Sequence, residues 1–144
     1  MRLQLALNVT DLDEAVEFYS TMFDTAPAKR RDGYANFAIE NPPLKLVLFE
    51  APDAAGDAGF AHLNHLGVET ETADEVLAAE ARLSESGLAT TGVDDTQCCY
   101  ADKTETWVTS PEGARWEWYV KTGDNDVLVN TVVGTHEPPT TCCS

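Results

Sequence analysis

The sequence predicts an α+β protein built from two βαβββ modules. Three observations carry that reading. An alternating apolar strand feeds a helix at the N-terminus, the same succession recurs in the second half, and short strand-like runs separated by turn residues follow each helix.

Residues 3–9, LQLALNV, put Leu3, Leu5, Leu7 and Val9 on one face and Gln4, Ala6 and Asn8 on the other. Side chains alternate with period two along a strand, so this is a strand with one apolar face. In the run TDLDEAVEFYSTMF, Thr10 or Asp11 can cap a helix, and Glu14 stands three residues after Asp11, a capping-box spacing. Leu12, Ala15, Val16, Tyr19, Met22 and Phe23 follow helical steps and form its apolar stripe. Strands are expected over 33–40 and 44–50, punctuated by Asn41-Pro42-Pro43. Residues 51–61, APDAAGDAGFA, read as a flexible linker.

The second half repeats the first. Residues 63–70 read as a strand and 73–86 as a helix, with Thr72 as cap, Glu75 three residues on and Gly87 as the stop. Strands are expected near 88–93, 98–102, 104–110 and 115–121. An offset of 61 carries Gln4 onto His65, Asp13-Glu14 onto Asp74-Glu75, and Leu5 and Leu7 onto Leu66 and Val68. Such self-similarity at a fixed period suggests two duplicated modules. The expected organisation is one domain over 1–122, with module one at 1–50, the linker at 51–61 and module two at 62–122. A partly irregular tail over 123–144 carries Pro138-Pro139 and Cys142-Cys143.

Composition narrows the partners. The formal net charge of -16 argues against nucleic acid or an anionic membrane, because phosphate binding draws on Lys and Arg. No run of about 18 apolar residues is present to span a bilayer, and Met1-Arg2-Leu3-Gln4-Leu5 enters the first strand without a signal-peptide core. A cytoplasmic location is the expectation. The four cysteines form two adjacent pairs, Cys98-Cys99 and Cys142-Cys143, whereas a disulfide framework spaces its cysteines apart. In a reducing compartment such pairs suit soft metals and metalloids.

Three polar strand residues form the candidate metal site. Gln4 opens module one, His65 opens module two, and Glu117 lies in the last strand, within RWEWYV. By parity each faces away from its apolar neighbours: Gln4 from the Leu face, His65 from Leu66 and Val68, and Glu117 from Trp116 and Trp118. An amide oxygen, an imidazole and a carboxylate make a facial N/O set with open positions, suited to Fe(II), Mn(II), Ni(II), Co(II) or Zn(II). Periodicity alone leaves His65 readable as a satisfied structural histidine and Glu117 as a solvent-face residue.

A family resemblance bears on those alternatives. The opening MRLQLALNVTDLDEAVEFYSTMF, the segment Asn64-His65-Leu66-Gly67-Val68 and the P-x-G-x-x-x-E run from Pro111 to Glu117 resemble the vicinal-oxygen-chelate superfamily of glyoxalases, bleomycin-resistance proteins and dioxygenases. The resemblance implies paired βαβββ modules whose sheets line a cavity, with Gln4, His65 and Glu117 as metal ligands. Family glyoxalases carry a fourth ligand, a Glu, inside the last strand of module one. Here that strand, Leu44 to Glu50, is apolar at its centre, which resembles the three-ligand, iron-dependent dioxygenase branch. Gln4 is a second departure, standing where dioxygenases usually have His.

Thr96-Gln97-Cys98-Cys99-Tyr100-Ala101, with Trp107-Val108-Thr109, Gly33 to Ile39 and Pro42 to Leu48, is similar to one subgroup: cadmium-induced glyoxalase-like proteins and organoarsenical carbon–arsenic lyases. That resemblance implies Fe(II)- and O2-dependent cleavage of trivalent methyl or aryl arsenicals to arsenite, with Cys98 and Cys99 holding the arsenic. Taken alone, Cys98-Cys99 also reads as a small buried apolar pair. Tyr100 and Lys103 are candidate pocket residues, and Cys142 and Cys143 candidate accessory thiols. Family members often pair two chains, so a homodimer is compatible with the resemblance. Two rival readings stand beside the lyase: a cadmium- or As(III)-binding resistance protein without turnover, and another superfamily isomerase or thiol transferase.

Overall fold

The computed structural model describes residues 1–54, 62–109, 111, 114–128 and 131–132. The chain divides into two compact units, Arg2–Leu66 and, with Met1, Gly67–Ser144. Each follows the βαβββ succession expected from the sequence.

The first unit begins with β1 (Arg2–Val9), α1 (Leu12–Phe23), β2 (Lys29–Arg31), β3 (Tyr34–Ile39) and β4 (Leu44–Glu50). Asp11 caps α1 by accepting from the Glu14 amide, and Asp24, at φ 48, ends the helix in the left-handed region. The strand order is β2-β3-β4-β1, with β1 parallel to β4 and the other pairs antiparallel. Leu12 and Val16 of α1 pack on Ala35, Phe37, Ile39, Leu46 and Leu48, and Leu5, Leu7 and Val9 join them from β1. The helical stripe and one face of the sheet thus share a core. Phe37 lies at its centre with no exposed surface. Phe37→Ala is expected to lower stability by about 3–5 kcal/mol, read as a lower urea midpoint at unchanged denaturant slope.

The boundary between the units falls within β5 (Leu63–Glu69). The second unit continues with α2 (Ala73–Glu85), β6 (Asp94–Cys98), β7 (Ala101–Thr109), β8 (Arg115–Asp124) and β9 (Thr131–Val132), in the sheet order β8-β7-β6-β9. Thr72 and Glu75 form the expected capping box at α2. The amides of Glu71 and Thr72 donate to the Glu75 carboxylate and hold its pKa below the usual value. Gly87 follows the helix at φ 85.

Three details differ from the expectation. Residues 88–93 form no strand, only an isolated bridge from Thr90 to Val108, and Gly92 at φ 77 turns the chain out of extended geometry. Residues 98–102 are not one continuous strand: β6 ends at Cys98, β7 begins at Ala101, and Cys99 and Tyr100, at φ 54 and 60, turn the chain between them. The short strand β2 was not foreseen and precedes the two strands expected after the first helix. Beyond residue 122, β8 runs to Asp124 and β9 pairs with β6. Of the expected linker, Pro52–Ala54 is a 3-10 turn and 55–61 lie outside the described residues. No helix among the described residues is long and apolar enough to cross a membrane.

Candidate active site

In the first unit the structure brings Gln4 and His65 together. Both are buried, at 3% and 1% exposure. Their Nε2 atoms are 2.9 Å apart. Asn64 Nδ2 donates to Asn8 Oδ1 at 3.0 Å, which orients the Asn64 amide. Its Oδ1, 2.8 Å from His65 Nδ1, therefore accepts the imidazole N–H. This places the lone pair of His65 on Nε2, as a metal ligand requires.

The Gln4–His65 spacing fits a divalent ion. An amide can be turned over without changing its outline, which brings Oε1 to the position of Nε2. Two donors in cis positions, each about 2.1 Å from one ion, stand about 3 Å apart, close to the observed 2.9 Å. Lys45 is the β4 partner of Gln4, and Val47 and Phe49 partner Ala6 and Asn8. None of these three is a carboxylate. Glu50 accepts from the Leu12 amide at 3.2 Å, so its carboxylate serves the start of α1. His62 lies against the Asn8 carbonyl, with Nδ1 3.1 Å from it.

In the second unit Glu117 is fully buried on β8. Its Oε1 lies 2.6 Å from Lys103 Nζ on β7. Lys103 Nζ is also 3.8 Å from Glu105 Oε2 and 4.7 Å from the centre of the Tyr119 ring. Lys103 and Glu105 are 3% and 2% exposed in their side chains. Glu105 Oε1 accepts from the Trp107 indole at 3.0 Å. Its Oε2 is buried without a hydrogen bond. Burial foremost, then the neighbouring Glu117 charge, pushes Glu105 up to about 8, against the pull of Lys103. Two buried carboxyl groups thus share one ammonium, which carries the charge of Glu117, and the Glu117 carboxylate is a suitable oxygen donor for a divalent cation.

The cysteine pair sits at the β6–β7 hairpin. Cys98 pairs with Ala101 across the end of the ladder, and Cys99 and Tyr100 are the two connecting residues. Both have positive φ, as the two-residue turn that matches strand twist demands. For non-glycine residues that geometry costs about 1–3 kcal/mol each. The neighbouring segment holds it in place: the Cys99 amide donates to Leu128 O at 3.2 Å and the Tyr100 amide to Val127 O at 2.8 Å. Asn125 ties that segment to the hairpin, donating to Asp102 Oδ1 and accepting from the Val127 amide. The two sulfurs are in contact at 3.1 Å. Both cysteines are buried and Tyr100 is half-buried. Cys142 and Cys143 lie outside the described residues.

Glu105, Asn64 and Asn125 were not anticipated. Glu105 carried one signal: it shares strand parity with Lys103 and Trp107, so a charged pair falls on the face of a buried aromatic.

The sequence pattern of the Glyoxalase/Bleomycin resistance protein/Dioxygenase superfamily matches residues 3–118. The trivalent organoarsenical cleaving enzyme of Thermomonospora curvata is 56% identical over 127 residues, covering 88% of this chain and 82% of that protein. The cadmium-induced protein CadI of Mycobacterium tuberculosis is 52% identical, covering 88% and 80%. Among solved structures, the Mn(II)-bound glyoxalase of Novosphingobium aromaticivorans gives a TM-score of 0.60 at 15% identity, over 86% of this chain and 40% of that one. At that identity the likeness is one of fold.

Proposed function

The chain belongs to the glyoxalase/bleomycin resistance protein/dioxygenase superfamily, and on that premise we propose that it cleaves the carbon–arsenic bond of trivalent organoarsenicals. Gln4, His65 and Glu117 are the ligands of Fe(II), and Cys98 and Cys99 hold the arsenic of a methyl- or aryl-As(III) substrate. A bound Fe(II) would supply the activation of O2 that oxidative scission of the bond requires; arsenic leaves as arsenite, still trivalent, and the organic group takes the oxidation, a methyl group leaving at the level of formaldehyde.

The observation that carries this reading is the contact between the two buried sulfurs on a strained, braced turn. Trivalent arsenic is thiophilic, and a monoalkyl-As(III) has two exchangeable hydroxyl groups. The reduced pair can replace both, which leaves the As–C bond as the remaining substituent. Strain of this kind persists where the surroundings over-determine it, as the Asn125–Leu128 contacts do here. The turn then fixes the arsenical in one orientation, which is the protein's main contribution to such a reaction.

The test is direct. Protein reconstituted anaerobically with Fe(II) and then given methyl-As(III) and air should release arsenite, resolved by chromatography with elemental detection. Intact, iron-loaded protein that releases none overturns the proposal. A second reading follows from the same sulfur contact, because a vicinal pair alone can sequester Cd(II) or As(III). Sequestration makes no use of Glu117, and that residue separates the two.

A further inference from the structure

We propose that Lys103 is the resident counter-ion of Glu117, released to Glu105 when a divalent cation takes the Glu117 carboxylate. The inference rests on Glu117 being a metal ligand, and goes beyond that by assigning Lys103 and Glu105 a positioning role in cation exchange.

The geometry is that of an ammonium between two seats. Lys103 Nζ is bonded to Glu117 Oε1 at 2.6 Å and stands 3.8 Å from Glu105 Oε2. That second oxygen is buried and accepts no hydrogen bond. A shift of about 1 Å would bring Nζ into hydrogen-bond range of it, and the four-carbon stem of lysine allows such a move. The face of Tyr119, 4.7 Å from Nζ, offers the ammonium favourable contact in this position. Trp107 holds the other Glu105 oxygen, so the vacant seat keeps a fixed orientation.

Electrostatics favours the exchange. An ammonium and a divalent cation on one carboxylate oxygen would be like charges a few ångströms apart in a buried site, where screening is weak. Lys103 cannot simply move to water, since it is only 3% exposed. Glu105 Oε2, 3.8 Å away and buried with it, is the carboxyl oxygen placed to receive it. Glu105 thus accounts for what a purely structural Lys103–Glu117 pair would leave unexplained: a second buried carboxylate aimed at the same ammonium.

The two residues should therefore have opposite effects on metal affinity. Co(II) or Mn(II) binding to the whole chain is measured anaerobically by competition with a chromophoric chelator, which needs no turnover. Lys103→Met, with its competitor for Glu117 removed, is expected to bind at least roughly tenfold tighter than wild type. Glu105→Gln is expected to bind at least roughly tenfold weaker, and Lys103→Arg to restore affinity near wild type. Should Lys103→Met fail to fold, Lys103→Gln gives the same readout. Both variants weakening the metal together, or neither changing it, overturns the exchange while Glu117 ligation stands. Wild type binding no metal, or Glu117→Ala binding it as well as wild type, removes the ligand reading and the exchange with it.

Discussion

Glu117→Ala is expected to lower arsenite release by on the order of 10³-fold or more, together with loss of stoichiometric Fe(II). Removing a group that only orients a metal ligand typically costs 10–100-fold in affinity or activity, so loss of a ligand costs more. The carboxylate is fully buried, so the substitution must be judged beside its effect on the fold. Its removal leaves Lys103 beside Glu105, 3.8 Å away. The Glu117 charge that helps hold the Glu105 pKa up goes with it, so Glu105 can ionise and give the buried ammonium a counter-ion. Folding should survive, seen as a cooperative thermal transition. A protein that sequesters metalloid through Cys98 and Cys99 would behave differently, retaining As(III) binding and having no turnover to lose. Arsenite release at the wild-type rate from Glu117→Ala would remove Glu117 from the metal site.

Which parts of this arrangement were legible in the sequence follows from the kind of signal each part leaves. The strand and helix patterns over Leu3–Val9 and Leu12–Phe23 are long and periodic, and the structure places both elements there. Gln4 and His65 were identifiable by parity, because each is a polar residue on a strand face opposite leucines, and they are found 2.9 Å apart. The Asn8–Asn64–His65 chain that sets the imidazole tautomer was not legible, since Asn8 and Asn64 meet only through folding. Lys103 was singled out as a pocket residue, yet its partner Glu105 was not. A Lys-Thr-Glu run in a strand usually reads as a solvent-facing edge, and only the burial of Lys103, Glu105 and Trp107 together reveals otherwise.

The hairpin shows a different limit. Two-residue turns with positive φ normally announce themselves through Asn or Gly. Here Cys99 and Tyr100 occupy those positions, so local propensity pointed to continued strand over 98–102. The conflict between residue type and backbone is itself informative. Sites where local preference is overruled tend to be functional, because the compensating contacts must be maintained. Neighbouring contacts from Leu128, Val127 and Asn125 provide that compensation.

Cys99→Ser should therefore separate arsenic capture from everything else in the molecule. The substitution replaces a sulfur by a smaller, harder oxygen at a buried position next to the turn. It leaves the backbone demand at φ 54 unchanged, so the hairpin should still form. One thiol remains at Cys98, enough for a single As–S bond but not for a chelate. The second bond of a chelate is intramolecular and benefits from a high effective concentration, commonly worth 10²–10⁴ in overall affinity. Turnover of methyl-As(III) at low substrate is accordingly expected to fall by on the order of 10²-fold or more. Fe(II) content and the thermal transition should stay close to wild type, since Cys99 is not among the proposed iron ligands. Cys98→Ser should lose at least as much activity, and stability as well, because its hydroxyl would be fully buried and must find a partner. Turnover by Cys99→Ser with unchanged kcat and KM would show that the sulfur pair does not bind the substrate. Loss of iron in step with loss of turnover would instead place Cys99 in the support of the metal, and the arsenic would need another seat.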